Sequence, residues 1–232
     1  MVGLSPLLAN ITLDPMDKEL ERRGHRFARY ADDFLVMVKS AKAAERVMGS
    51  LTRYVEGRLK LVVNRAKSQA APLKQCAFLG FQIGARGQAV WTAKALARFK
   101  QRVREITRRN RGHRVQDVID ELFRYVTGWL NYFGISHTYT GLLELEEWVR
   151  RRVRLYYWKQ WKRPRARRRH LLAMGIPSAE VKLATRSRKG YWRMSGNSIV
   201  QRALNNRWLR EQGVFDMRTL WITLHYGPKA RV

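Results

Sequence analysis

The spacing of hydrophobic and polar positions changes near Trp91, and the two sides of this point predict different structures. Before it, short runs such as "FLVMV" and "AFLGFQI" alternate with segments that repeat at helical spacing. This pattern predicts strands alternating with helices. After it, hydrophobic residues recur at helical spacing and strand signals largely vanish. The chain is therefore predicted to be α+β up to Trp91 and a small helical bundle beyond it.

The first region is predicted to place an antiparallel sheet between helices. Ser5 and Pro6 suit the N-cap and the first position of a helix, and Gly24 suits its C-terminus. Residues 27–30 and 34–38 are predicted to form the two arms of a hairpin. Ser40 then opens a second helix, and "LKLVVN" and "AFLGFQI" are predicted to be short strands, with "GARGQ" as a turn before "AVW".

The second region contains three segments of helical character, residues 93–110, 115–132 and 142–162. On a helical wheel of the third, one arc is predicted to face the core and holds Val149, Val153, Tyr156 and Tyr157. The opposite side combines arginines and tryptophans, namely Arg150, Arg151, Arg154, Trp158 and Trp161. Such a face can bind phosphates and stack on bases. The alternative is that the tryptophans contact the next helix, because tryptophan is largely buried on average.

Charge and composition narrow the class of partner. The 232 residues include 47 Lys and Arg against 18 Asp and Glu, a net charge of +29. This excess indicates a polyanion, most often nucleic acid, although ribosomal and membrane-surface proteins share it. The lone Cys76 excludes an internal disulfide and a multi-cysteine zinc site. Because no segment predicts a secretion signal or a membrane span, we expect a cytoplasmic protein that does not insert into a membrane.

The positive charge is concentrated in the second region. Residues 1–91 hold 15 basic and 8 acidic side chains, whereas residues 92–232 hold 32 and 10. Within 148–170 there are 11 basic side chains and no acidic one, which is unlike a solvated face of mixed sign. We therefore predict that this run binds nucleic acid. Lys159, Lys162 and Arg163 join the arginines and tryptophans already named as candidate binding residues.

Two adjacent carboxylates, Asp32 and Asp33, stand at the tip of the predicted hairpin in "RYADDFLVMV". Aspartate is common in turns because its side chain bonds to nearby backbone. Carboxylates at the end of a rigid hairpin are also suited to Mg²⁺, which takes one or two of them and completes its shell with water and phosphate oxygens. The dipeptide alone leaves both interpretations open.

Five motifs together resemble one known family, the group II intron reverse transcriptases, which are also called maturases. They are "LSPLLANITLDPMDKELE", "RYADDFLVMV", "LKLVVNRAKS", "FLGF" and "WVRRRVRLYYWKQWKR", in this order along the chain. The resemblance implies a partial reverse-transcriptase palm at residues 1–91, a helical thumb and maturase domain at 92–175, and a basic C-terminal extension at 176–232. It also implies intron RNA and a primer–template of RNA and DNA as partners.

The resemblance assigns roles to matching positions. Asp32 and Asp33 match the palm aspartates that hold catalytic Mg²⁺ ions for RNA-directed DNA synthesis. The positions that match a lining of the nucleotide and template site are Ser5, Pro6, Asn10, Tyr30, Asn64 and Lys67. Residues 78–81 match the turn at the primer grip.

In this family a further aspartate and the fingers come from sequence upstream of the "SPLLAN" helix. We therefore expect this chain to be the C-terminal part of a longer protein and to lack polymerase activity alone. A separate N-terminal fragment is a candidate partner. The alternatives are a polymerase-inactive RNA-binding splicing cofactor, a truncated remnant, and a basic structural protein of a ribonucleoprotein.

Overall fold

The computed structural model describes residues 5–84 and 86–227, and it divides the chain into two compact units, Met1–Thr92 and Ala93–Val232. The first unit contains α1 (Ser5–Arg22), β1 (Arg26–Tyr30), β2 (Asp33–Met37), α2 (Ala41–Gly57), a short 3-10 turn (Leu73–Gln75), β3 (Ala77–Phe78), β4 (Phe81–Ile83) and β5 (Ala89–Trp91). Within the described residues, β1 and β2 pair only with each other, and β3, β4 and β5 form a separate antiparallel sheet.

The core of the first unit lies between α1 and α2. Leu13, Met16 and Leu20 lie on one face of α1 and pack with Leu51 and Val55 of α2. The helical spacing predicted for α2 is confirmed, and so is its N-cap, since the Ser40 hydroxyl accepts a hydrogen bond from the Ala43 N–H at 3.2 Å. Side chains from the hairpin, from α2 and from the segment after α2 complete this core: Phe27, Val36, Val47, Tyr54, Leu59 and Val63.

Two predicted strands differ from the structure. The "LKLVVN" segment is not a strand, because no other strand in the described chain lies beside it to accept its hydrogen bonds. Val62 there is 93% exposed. "AFLGFQI" is not one strand but two, β3 and β4, joined by a tight turn in which Leu79 and Gly80 both have positive φ, 52° and 82°.

The second unit is a helical bundle. Its helices are α3 (Ala93–Ile106), α4 (Val115–Phe133), α5 (Tyr139–Gln160), α6 (Pro164–Ala173), α7 (Ser178–Arg186), α8 (Tyr191–Ser195), α9 (Ser198–Ala203), α10 (Asn206–Glu211) and α11 (Met217–Tyr226). The predicted fold class is therefore confirmed: an α+β part with small antiparallel sheets precedes a helical part. No helix among the described residues has the length and apolar character needed to cross a membrane.

Helix α5 forms the centre of the second unit. Its predicted core stripe is confirmed, because Val149, Val153, Tyr156 and Tyr157 are all buried. Burial raises the pKa of the Tyr157 hydroxyl to about 12. Beyond α7, residues 198–211 form two helices, α9 and α10, rather than one. The division follows from Asn205, whose side-chain oxygen accepts from the Trp208 N–H and so begins a new helix.

Candidate nucleic-acid interface and aspartate hairpin

The tip of the β1–β2 hairpin presents two carboxylates without a cationic partner. Tyr30 pairs with Asp33 in the register of the hairpin, so Ala31 and Asp32 alone form the turn, with Ala31 at φ 54°. Asp32 and Asp33 are exposed, and no basic side chain in the described part of the chain lies within ion-pair distance of either. In a chain with 47 basic residues, two unneutralised neighbouring carboxylates are unusual.

Arg29 fixes this tip to α1. Its Nε and Nη2 donate to both carboxylate oxygens of Asp17, at 2.6 to 2.9 Å, and its Nη1 donates to the Ala31 carbonyl at 2.9 Å. The same Nη1 donates to Oδ1 of Asn10 at 2.8 Å. The pairing with Asp17 raises the pKa of the Arg29 guanidinium. Because Arg29 is committed to these groups, its charge does not neutralise Asp32.

The sequence did not predict this role for Arg29, although one signal was present. Arg29 lies two positions after Phe27 on β1, so both side chains are on the same, inward face of the strand. An arginine at an inward position needs a buried acceptor. Asp17 is that acceptor, and the side chains of the pair are only 12% and 22% exposed.

The hairpin tip partly fits a hard divalent cation. Asp32 and Asp33 supply carboxylate oxygens, which Mg²⁺ prefers. However, the described residues contain no group of three acidic, histidine or cysteine side chains that could enclose a metal ion. An ion at this tip would therefore take its remaining ligands from water or from phosphate oxygens.

The other residues predicted at the nucleotide site are only partly brought together. Asn10 is linked to the tip through Arg29, and Tyr30 lies beside it with 66% of its surface exposed. Asn64 and Lys67 form a separate exposed turn, in which the Lys67 N–H donates to the Asn64 carbonyl at 3.1 Å. Helix α1 begins at Ser5, one residue before the first helical position predicted at Pro6, and the side chains of both residues lie outside the described residues.

The prediction of an open arginine–tryptophan face on α5 was wrong for three residues. Trp158, Trp161 and Arg154 are 1%, 7% and 6% exposed. Trp161 stacks on His170 of α6 at 4.6 Å, which confirms the alternative that the tryptophans contact the next helix. Arg154 donates to the Leu204 carbonyl at 2.8 Å. The physical reason is that later segments cover this face, which a helical wheel of α5 alone does not reveal.

Arg150 is also engaged inside the protein. It donates to Glu146 at 2.8 Å and lies 3.8 Å from Asp216. Burial raises the pKa of the Glu146 carboxyl. Burial also acts to raise the pKa of Asp216, but the Thr219 N–H and the positive charge of Arg150 lower it overall. Glu146 further accepts the Met217 N–H at 2.8 Å, so this group of charges attaches the start of α11 to α5.

In a different set of cations, each lies over an aromatic ring; Arg104 and Arg109 are exposed and the other four are half-buried. We call this set the aromatic–cation surface. Lys100 and Arg104 of α3 lie 5.9 and 5.5 Å from the ring centre of Trp148. The remaining members are centred on α8: Arg109, Lys159 and Arg167 lie 5.2, 5.3 and 5.6 Å from the ring centre of Tyr191, and Arg151 lies 4.0 Å from that of Trp192.

The aromatic–cation surface is strongly electropositive. Among the described residues, none of its six cations forms an ion pair with a carboxylate. Arg152 lies between its two groups and caps the end of α3, donating to the Thr107 hydroxyl at 2.8 Å and to the Arg104 carbonyl at 3.2 Å. Burial lowers the pKa of Arg152, and the positive charges of Arg104 and Arg109 lower it further.

Some of the predicted binding residues belong to this surface and others extend it. Arg151 and Lys159 are members, and Lys162 and Arg163 are exposed just before α6. The sequence prediction missed Tyr191 and Trp192. The signal available was the basic and aromatic segment "SRKGYWRM", which has no acidic residue.

Two family models match consecutive parts of the chain. Residues 2–83 match the model described as reverse transcriptase (RNA-dependent DNA polymerase), and residues 96–175 match the group II intron, maturase-specific domain. No curated protein matches the chain. The two matches lie in the first and second units respectively.

Proposed function

Because the chain belongs to the family of group II intron reverse transcriptases and maturases, we propose that it binds intron RNA and primer–template through the aromatic–cation surface. The observation that carries this proposal is that six cations lie over three aromatic rings without a carboxylate partner in the described chain. Like charges held this close repel one another, and a polyanion relieves that repulsion. Guanidinium groups donate to phosphate oxygens, and exposed rings stack on bases.

The positive surface is extended by α6. Arg163, Arg165, Arg168 and Arg169 are exposed along α6, beside Ala166 and Leu172. A row of exposed arginines suits a phosphate backbone. Lys162, at the start of the same segment, is exposed and continues it.

The first experiment compares two RNAs of equal length, a structured group II intron RNA and an unrelated one, at roughly physiological salt. A preference of about 100-fold, or some 2.7 kcal/mol, for the intron RNA supports recognition of RNA structure. Equal affinities would mean that the chain binds through charge alone, and the proposal of intron recognition would be withdrawn.

A charge-matched pair of triple variants tests which cations bind. We expect Arg104→Gln, Arg109→Gln and Lys159→Gln together to weaken intron RNA binding by at least 10-fold. The control removes three exposed cations from other helices, Lys182→Gln, Arg186→Gln and Arg218→Gln. Both variants lose the same net charge. If both weaken binding equally, the effect belongs to overall charge and not to the aromatic–cation surface.

We also propose that Asp32 and Asp33 bind Mg²⁺, since the family uses a divalent metal and the two carboxylates are free of cations in the described chain. When bound, the ion would supply charge stabilisation for phosphoryl transfer.

Mn²⁺ is the probe for this site. We expect Mn²⁺ to broaden the backbone NMR signals of residues 30–34. The double variant Asp32→Asn, Asp33→Asn should abolish the broadening. Asp117→Asn, on the exposed side of α4, is the control. Broadening that persists in the double variant would overturn the metal proposal.

A second candidate function is an RNA-binding splicing cofactor without polymerase activity. The aromatic–cation surface lies wholly in the second unit and requires no metal pair, which favours this function. Splicing of an intron RNA at low Mg²⁺, with wild type and with the Asp32→Asn, Asp33→Asn variant, tests it. Equal stimulation by both proteins supports a cofactor. Primer extension that only the wild type performs would instead favour the polymerase.

A further inference from the structure

We propose that Trp192 is a stacking platform for one unpaired nucleobase, with the cations around Tyr191 binding the neighbouring phosphates. This inference rests on the proposed nucleic-acid binding and names the chemical form that is recognised. Tyr191 and Trp192 lie outside both regions that match family models, residues 2–83 and 96–175. They belong to α8, which packs along α5.

Trp192 differs from the other tryptophans of the chain in its exposure. Five of the eight are buried, at 8% exposure or less: Trp91, Trp129, Trp158, Trp161 and Trp221. Trp148 and Trp208 are half-buried. Trp192 alone among them is exposed, at 40%. An indole that only filled the core would not leave this much of its surface in water.

Trp192 is also held rigidly from one side. The guanidinium carbon of Arg151 lies 4.0 Å from the ring centre, and Arg151 Nη2 donates to the Trp192 carbonyl at 3.2 Å. Gly196 lies against the same guanidinium, and a side chain there would come within 3.0 Å of Arg151 Nη2. Arg151 is therefore confined between Trp192 and Gly196. A ring fixed in this way loses little conformational entropy when a ligand stacks on its exposed surface.

The charges beside the platform suit a phosphate backbone. Arg109, Lys159 and Arg167 come from three different helices or loops and converge on the ring of Tyr191, the residue directly before Trp192. None of them has a carboxylate partner among the described residues. Two further contacts hold Arg167 in place. Its Nε donates to the Trp161 carbonyl at 2.9 Å, and its guanidinium lies 4.6 Å from the ring centre of Trp158.

A ring with one open surface discriminates between single and double strands. Inside a duplex, each base face is covered by its neighbours, and only the two terminal pairs have an open face, whereas every unpaired base of a single strand offers a face for stacking. The ligand is therefore an unpaired nucleotide in a single strand, of either RNA or DNA. A blunt-ended duplex therefore reaches the cations along its whole length but the platform only at its two ends.

The test measures binding of a short single-stranded RNA, the same sequence as DNA, and the corresponding blunt duplex. We expect Trp192→Ala to weaken single-strand binding about 10-fold, as is typical for one stacked base, and to leave duplex binding unchanged. Trp192→Phe retains most of the affinity because it retains a ring, whereas Trp192→Leu, which keeps apolar bulk without a π face, behaves like alanine. Phe123→Ala, an aromatic residue of α4 that is 48% exposed, is the control.

Two readouts separate this inference from the proposed function. A strand whose bases are replaced by abasic residues should bind wild type and Trp192→Ala equally. Quenching of tryptophan fluorescence by the single strand should be lost in Trp192→Phe.

If all Trp192 variants bind every strand like the wild type, while the triple variant at Arg104, Arg109 and Lys159 is weakened, the platform is overturned and the RNA-binding function stands. If the wild type binds no strand, both fail. Equal losses with RNA and DNA mean that the sugar is not recognised.

Discussion

The two units expose large hydrophobic side chains to the same extent but bury very different numbers of them. Among the described residues, each unit has nine exposed large hydrophobic side chains, whereas six of the 36 buried ones, alanine left out, lie in the first unit and 30 in the second. The first unit has 92 residues and the second 140, so length alone does not account for the difference. Burial of apolar area is the main favourable contribution to folding. The second unit is therefore the stable part, and the first depends on a small core.

This difference determines how each candidate site is supported. The cations of the aromatic–cation surface are carried mainly by long helices with buried inner faces. The aspartates are carried by a two-stranded hairpin whose outer edges have no strand partner in the described chain. One polar group, Arg29, attaches that hairpin tip to α1. We expect the aspartate tip to be sensitive to single polar changes and the aromatic–cation surface to be robust.

The largest effect is predicted for the core of the second unit. Trp158→Ala should lower the free energy of unfolding by about 3–5 kcal/mol, because it removes a fully buried indole and leaves a cavity. Trp158 is 1% exposed and lies among Trp161 and Arg167. Urea denaturation followed by circular dichroism measures this loss. Trp192→Ala, at an exposed position, is the control, and a loss below about 1 kcal/mol for Trp158→Ala would contradict the contrast between the units.

The next effect concerns the polar attachment in the first unit. Arg29→Ala should lower its stability by about 2–3 kcal/mol, since it leaves the largely buried Asp17 carboxylate unpaired. Hydrogen exchange of the backbone amides of residues 30–33 should quicken as the tip loosens. Arg26→Ala, on the exposed face of the same strand, is the matched control. Equal exchange in both variants would show that the tip does not depend on Arg29.

A smaller effect is predicted where α11 begins. Asp216 caps this helix by accepting from the Thr219 N–H at 3.1 Å, so Asp216→Ala should cost about 1–2 kcal/mol. The loss should be confined to the second unit, and hydrogen exchange along α11 measures it. Asp120→Ala, an exposed aspartate of α4, provides the comparison. Protection of α11 that survives Asp216→Ala would contradict a capping role.

The smallest effect is a dependence of stability on pH. Burial lowers the pKa of His170, and the charge of Arg169 lowers it further. The folded state thus favours the neutral ring. The contribution of His170 to the free energy of unfolding is complete above the ordinary pKa of 6.5 and is lost as pH falls below that value. Between pH 5 and 7.5, the midpoint of thermal unfolding should rise more steeply with pH for wild type than for His170→Gln. Identical slopes would contradict this assignment.

Local features of the chain were predictable from its sequence. The hairpin with Asp32 at its turn, the Ser40 cap and the core stripe around Val149 all depend on residues close to one another in the chain. Spacing and capping chemistry act over a few residues, and a sequence records them directly. The same holds for the concentration of positive charge in the second unit.

Features that depend on distant segments were not predictable. Trp158 and Arg154 were expected to face outward, and only the packing of residues from α6 onward buries them. The segment "LKLVVN" has a strand-forming composition but no partner strand beside it in the described residues. Three cations lie over the ring of Tyr191, from the turn after α3, from α5 and from α6, and no local pattern brings them together.

The four arginines of the segment "RRRVR" in α5 have four different structural roles, although they read as one run of charge. Arg150 pairs with Glu146 of α5 and with Asp216 at the start of α11, and Arg151 lies against the ring of Trp192. Arg152 caps α3, and Arg154 binds a buried carbonyl. Lysine preserves the charge but not the planar, multidentate geometry of a guanidinium. The tolerance of this segment to conservative exchange should therefore be low and different at each position, even though its net charge would be unchanged.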